Sequence, residues 1–412
     1  MKRIVILLSA FLFLHTAEAQ VIPWYMRKDF GTEKKQDQSQ EKAQEKIQEK
    51  EQKSIPEKVA ESIPEIESKK ADADSCTALP AVNRNEITVT LMLPFTENGV
   101  SNPNALDFYS GVLMAAKDIG NDGVKLQIHA IDCNREYDPS VIQMSNIVVG
   151  PIDRSSIISA LSTHPAVTFV SPLDPKADDL ADSLNVIQIP SSASSRASVL
   201  GKWIAGDLQP DEKLYIVREN AETMDSLSAI TIGVLDNMGV HYSFINGNAT
   251  IDNVVSQDTK ARILAASDKE WFIRETIRNI SAIGLLNNNI SLYASAKVRN
   301  FENLEVELLH NCNLHICPTY AVDYSNDSAI AFILAYRALF QCEPNSFAFH
   351  GYDTVTYLAS AFRAFGAGWP MSLRLLEMNG LQASFDFSTG NGRHNTAVRK
   401  VIYNRDFSIS VE

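Results

Sequence analysis

Apolar and polar positions change period repeatedly along residues 86–412. Residues 87–95 (ITVTLMLPF) form a β-branched, apolar run of strand length, ended by Pro94 and a polar loop. From there apolar side chains at 105, 106, 108, 112, 113, 115, 116 and 119 draw the stripe of an amphipathic helix. Strands are predicted next at 124–131, 147–149, 166–170 and 186–189, with a helix at 155–162. After a polar break at 206–212 the alternation resumes, with strands at 214–218, 241–245, 263–266, 290–293 and 314–320 and helices at 224–238, 271–286 and 328–340. A helix at 352–365 and two antiparallel strands at 397–403 and 407–411 close the chain. Strands joined through helices of this length predict right-handed βαβ units and parallel sheets, an α/β fold of two Rossmann-like lobes.

The N-terminal fifth has a different character. Lys2 and Arg3 precede an apolar run from Ile4 to Leu14, and Ala17-Glu18-Ala19 supplies a small-x-small cleavage pattern, so residues 1–19 read as an export signal and Gln20 as the mature N-terminus. The run is too short for a permanent membrane span, no Cys follows it to carry a lipid, and no later stretch is long and apolar enough to span a bilayer. A soluble periplasmic or secreted product is expected. Residues 20–85 read as a disordered charged tether: QEKAQEKIQEKEQK at 40–53 and the echo Ser54-Ile-Pro-Glu57, Ser62-Ile-Pro-Glu65 hold too few large apolar groups to offset the entropy of ordering. One patch, Val21-Ile-Pro-Trp-Tyr-Met26, puts two aromatics beside the mature end, either a docking peptide on a tether or a remnant of the cleavage region.

Charge sharpens this division. The 412 residues carry 37 Lys plus Arg against 50 Asp plus Glu, a net of −13, yet residues 20–75 are close to neutral at −2. The acidity belongs to residues 76–412, at −12. That argues against nucleic acid as a partner, because phosphate contacts are made mainly by Lys and Arg. It makes a cationic, zwitterionic or protein partner more natural than an anionic ligand or wall polymer.

Tyr336-Arg-Ala-Leu-Phe340, Glu343-Pro344, and Gly351-Tyr352-Asp353 resemble the Y-x-x-x-F … P-x-x-x-A-x-x-G-Y-D signature of type I periplasmic binding proteins, the branched-chain amino-acid receptor family. Gly150-Pro151 followed by Ser155 and Ser156 resembles that family's first-lobe turn. Leu91-x-Leu93-Pro94-Phe95 and Phe301-Glu302-Asn303-Leu304 are similar to the branch often joined to LysM modules, although no LysM-like repeat precedes residue 86. The resemblance implies a two-lobed clamp crossed three times by the chain, with lobe 1 at 86–205 plus 322–378, lobe 2 at 206–321 plus 379–412, and a ligand in the cleft.

Ligands of open α/β sheets sit beyond the carboxyl ends of the strands, which points to the loops at 96–104, 132–139, 150–156, 171–174, 220–223 and 267–270. Ser155 and Ser156 open a helix whose free N–H groups could hold a carboxylate or be capped by those hydroxyls. Asp268 could take an ammonium or cap a helix. Tyr320, and Tyr324 beside it, could line the cleft at a crossover. Ser171-Pro172-Leu173-Asp174 departs from the amino-acid receptors, which the resemblance implies would carry small or hydroxyl residues after Ser-Pro; Asp174 would repel a carboxylate and favours a cationic or peptide ligand. Five Cys leave at least one thiol unpaired, and strand alternation sets Cys312 opposite His315 and Cys317, so no metal is expected. No catalytic motif is present. The expected function is a non-enzymatic, cofactor-free periplasmic protein that closes two lobes on a small polar solute for uptake or sensing. The alternative is an envelope protein that uses the same scaffold to engage a periplasmic protein partner in cell-wall synthesis.

Overall fold

The computed structural model describes residues 83–412 apart from 176, 177, 184, 223 and 257. The export signal at 1–19, the tether with its patch at 21–26, and Cys76 lie outside the described residues.

Lobe 1 is built on five strands, β1 (Glu86–Leu93), β2 (Lys125–Asp132), β3 (Ile147–Val149), β4 (Phe169–Ser171) and β5 (Val186–Gln188), in the order β2-β1-β3-β4-β5 with every pair parallel. Ile87, Val89, Leu91 and Leu93 of β1 enter one core layer, while Met92 enters the layer on the other face. A parallel sheet covered by helices on both sides needs such near-continuous apolar strands. One covering pair is the Pro103–Asn121 helix against the Ser346–Phe365 helix. Their backbones meet at two glycines: a Cβ on Gly111 would stand 1.8 Å from the Ala348 carbonyl oxygen, and one on Gly351 would stand 2.1 Å from that of Phe108.

Lobe 2 carries seven strands, β6 (Lys213–Arg218), β7 (Tyr242–Asn246), β8 (Ala261–Ala265), β9 (Ile290–Tyr293), β10 (Leu314–Ile316), β11 (Val401–Tyr403) and β12 (Ile409–Val411), in the order β12-β11-β10-β9-β8-β6-β7. The pairs from β7 to β10 are parallel, and β11 and β12 add antiparallel to the edge. The fold is thus the two-lobed α/β architecture with parallel sheets that the alternation predicts. Strand β10 stops at Ile316, short of the expected 320, because Pro318 cannot donate to a ladder.

The lobe boundaries differ from the expected ones in two places. The sequence places residues 193–205 in lobe 1, but Ala193–Asp207 is a helix whose Leu200, Trp203 and Ile204 pack with Leu214, Ile216 and Tyr293 of lobe 2. The first crossing therefore falls at 189–193. The sequence places residues 379–387 in lobe 2, yet Ala383, Phe385 and Phe387 lie in the lobe 1 core, with Phe385 stacked on Tyr357 at 4.3 Å between centroids. The last crossing thus follows residue 387, and the middle one runs through 317–322.

Gly351-Tyr352-Asp353 acquires a structural reason here. Gly351 admits the facing helix, and Tyr352 donates its hydroxyl to Asp118 at 2.9 Å. Asp353, fully buried, accepts the N–H groups of Leu381, Gln382 and Ala383 at 2.7, 2.8 and 2.9 Å and so shapes the segment after the helix. Gln382 then accepts from Ala321 N–H at 3.0 Å, tying that segment to the middle crossing. Asn395 ties the other two: its amide donates to Ile189 O at 2.8 Å and to Ser384 O at 2.7 Å.

Candidate functional site

A cavity of about 970 Å³ opens between the lobes. Its lobe 2 wall includes the carboxyl ends of β8, β9 and β10 with the residues that follow, among them Ser267, Ser295 and Thr319, and parts of the Ala193–Asp207 and Ser226–Asn237 helices. Lobe 1 contributes Pro175, Tyr324, Asn345, Ser346, Phe349 and Gln382. This is where strand-end loops of open parallel sheets present polar groups to a ligand.

Of the six residues singled out on sequence, Asp268 and Tyr320 line this cavity and Ser155, Ser156, Ser171 and Asp174 do not. Ser155 and Ser156 lie in the first turn of the Arg154–Thr163 helix, but neither caps it: the cap is Asp153. Its Oδ1 accepts the Ser156 N–H at 3.0 Å and the Ser155 hydroxyl as well. Burial would raise the Asp153 pKa, but these hydrogen bonds outweigh it and hold the carboxyl below its ordinary range. The helix end therefore already holds an anion of the chain's own. Ser171 is fully buried in β4, and Asp174 is buried beside it, with its carbonyl accepting from Gln188 Nε2 at 3.4 Å.

Asp268 does not cap the Glu270–Gly284 helix; the Lys269 N–H there is accepted by Ser267 Oγ at 3.1 Å. Asp268 instead pairs with Lys297 at 3.4 Å, both half exposed. Tyr320 packs its ring on His350 of lobe 1, centroids 4.6 Å apart, while its carbonyl accepts from Arg299 Nη1 of lobe 2 at 2.7 Å. His350 bonds in turn to Pro172 O, so one crossing residue touches both lobes. Burial lowers the His350 pKa to about 4, and the Pro172 bond offsets only part of it, keeping the ring neutral near pH 7.

Sequence reasoning missed Arg196, Asp225, Lys297, Arg299 and Asn345, all of which line the cavity. Asp225 caps the Ser226–Asn237 helix through Oδ1, 3.0 Å from the N–H groups of Leu227 and Ser228. Lys297 and Arg299 follow β9, a strand end left out of the loops considered; two bases two residues apart directly after a predicted strand were the available signal.

The described cysteines Cys133, Cys312, Cys317 and Cys342 are free thiols. Cys312 donates to Ile277 O in one core layer of lobe 2, and Cys317 packs in the layer with Trp203, across the sheet. Among the described residues no group of three His, Cys, Asp or Glu could hold a metal ion, and no helix is long and apolar enough to cross a membrane.

No protein-family model and no curated protein matches the chain. Solved structures do. A candidate branched-chain amino acid ABC transporter from Rhodospirillum rubrum is 13% identical, covers 79% of this chain and 99% of its own, and superposes with a TM-score of 0.57. An ABC transporter substrate-binding protein from Desulfitobacterium hafniense in complex with Leu is 17% identical over 79% of this chain and 100% of its own, at a TM-score of 0.49. The C-domain of LpoA from Haemophilus influenzae, a regulator of PBP1A, is 13% identical over 79% and 99%, also at 0.49. At these identities the likeness speaks for architecture, and with the two parallel sheets and the cleft between them it gives the chain the type I periplasmic binding protein fold.

Proposed function

We propose that the chain is a non-enzymatic periplasmic binding protein that closes its two lobes on a small polar solute for uptake or sensing. The observation that carries this reading is the cavity itself: about 970 Å³, lined by polar groups and aromatic rings from both lobes, set at the strand ends and bordered by the segment that holds Tyr320. That volume lies in the range of small-molecule sites. Lobe motion is the ordinary way such a clamp gains contacts on the second face of a ligand. Of the earlier candidates, Asp268 and Tyr320 remain in the proposed site, and Ser155, Ser156, Ser171 and Asp174 leave it. The structure neighbour named as a branched-chain amino acid transporter is consistent with a solute of amino-acid type.

The experiment is a thermal-shift screen of the mature chain against amino acids, short peptides and cell-wall fragments. A ligand at 100 times its Kd stabilises the folded state by about 2.7 kcal/mol through mass action. The reading expects at least one such rise; no rise with any class of solute defeats it. A second reading, an envelope protein whose clamp engages another protein in cell-wall synthesis, is favoured by one observation: Asp153 fills the helix end whose free N–H groups would otherwise suit a ligand carboxylate.

A further inference from the structure

The charged side chains around the cavity are not equally committed. Asp268 is paired with Lys297, Glu270 with Arg274, and Glu343 with Arg337 at 2.7 Å. Asp225 is engaged in capping, and Arg196 donates to the Ser191 carbonyl and is held by a further contact besides. Arg299 differs: it gives one N–H to the Tyr320 carbonyl, a neutral group, and among the described residues no carboxylate lies within ion-pair reach of it. A guanidinium carries five donors in a planar fork, so most of its capacity and its whole charge remain for something else. It stands half-buried on the lobe 2 wall after β9, where screening is weaker than at an open surface.

We infer that Arg299 is the anion anchor of the cleft and that the solute carries a carboxylate, which the guanidinium takes in its fork. This deepens the solute-binding reading and rests on it. A single carboxylate suits the site better than a dianion, because four acids, Asp225, Asp268, Glu270 and Glu343, line the same cavity and a second negative charge would meet them. The anion seat thereby lies on lobe 2, while the helix end of lobe 1 that could have served holds Asp153 instead. The same guanidinium holds the Tyr320 carbonyl of the middle crossing, so a carboxylate bound there bears directly on the segment about which the lobes move.

The test pairs acids with their amides: Ala-Ala and Ala-Ala amide, leucine and leucinamide, together with longer peptides and wall fragments in both forms, titrated calorimetrically into the full mature chain, Arg299→Gln and Arg299→Lys. Gln can still donate to the Tyr320 carbonyl, and Lys keeps the charge. The expected result is at least tenfold preference for the acid over its amide in the wild type, about 1.4 kcal/mol, loss of that preference in Arg299→Gln, and its partial return in Arg299→Lys. A role confined to holding the crossing would shift both members of each pair together. Binding with equal affinity for acid and amide, or a preference that survives in Arg299→Gln, overturns the anchor and leaves solute binding standing. No binding by any compound overturns both.

Discussion

The Asp153 carboxylate accepts the backbone N–H of Ser156 at 3.0 Å, within the first turn of the helix that the sequence offers as a ligand's seat. An anion at a helix N-terminus is stabilised by the unsatisfied N–H groups and the dipole, and here the chain supplies that anion three residues upstream. The hydroxyl of Ser155 turns to the same carboxylate.

Removing this cap tests its role. Asp153→Ala should lower stability by about 1 kcal/mol, the usual cost of a lost N-cap, seen as a shift of the urea midpoint. Ser155→Ala and Ser156→Ala should leave solute affinity within twofold, since neither side chain reaches the cleft. A large loss of affinity in either serine variant would return the seat to lobe 1.

Asp353→Asn keeps the shape of the residue but turns an NH2 toward at least one of the three backbone N–H groups that the carboxylate accepts. A buried donor without a partner costs about 1–3 kcal/mol. The expected loss is therefore about 1–3 kcal/mol in urea unfolding at pH 7. A variant as stable as the wild type would show that the motif does not hold the 381–383 segment.

Acid should weaken the fold through its buried histidines. His315, packed between Trp203 and Tyr293, and His350 are both lowered to about 4, chiefly by burial. A folded pKa below the unfolded value of 6.5 gives stability that is present above pH 6.5 and lost as pH falls toward 4, about 2–3 kcal/mol for each ring. Asp353 works the other way: burial outweighs its hydrogen bonds and raises it to about 6, so its contribution is present below about pH 4 and lost as pH rises through 6. His315→Phe should therefore flatten the acid side of the stability profile, and Asp353→Asn should steepen it. Unchanged slopes in both variants would contradict these assignments.

The thiols should differ sharply in reactivity. Burial pushes Cys133 and Cys317 up to about 12 and raises Cys312 further, while Cys342 is exposed. Since the thiolate is the nucleophile, iodoacetamide at pH 8 should label Cys342 of the native chain well before these three, read by peptide mapping. Equal labelling would contradict the burial of Cys312 and Cys317 in the two lobe 2 cores.

Much of the fold was legible because β-branched runs and helical stripes report burial directly. The strand at 147–149 and the strand at 290–293 fall on the predicted residues. The Ala193–Asp207 helix was missed because Ser191-Ser-Ala-Ser-Ser195 reads as a loop, and Leu200, Trp203 and Ile204 are the only large side chains on its buried face. The helix expected from 352 starts at Ser346, since Phe347, Ala348, Phe349, His350 and Gly351 are all buried and show no polar face. The site was less legible. A serine pair after Gly-Pro does not reveal whether a nearby carboxylate folds back onto it, though Asp153 three residues before Ser156 was a capping signal. The cleft bases Lys297 and Arg299 are ordinary in sequence and acquire meaning only when β9 ends beside the crossing.

The central claim is closure of two lobes on a solute, and small-angle X-ray scattering of the mature chain measures it most directly. With a solute found by thermal shift present at saturation, the radius of gyration should fall and the scattering profile should become that of a more compact particle. A profile identical with and without that solute would contradict the clamp.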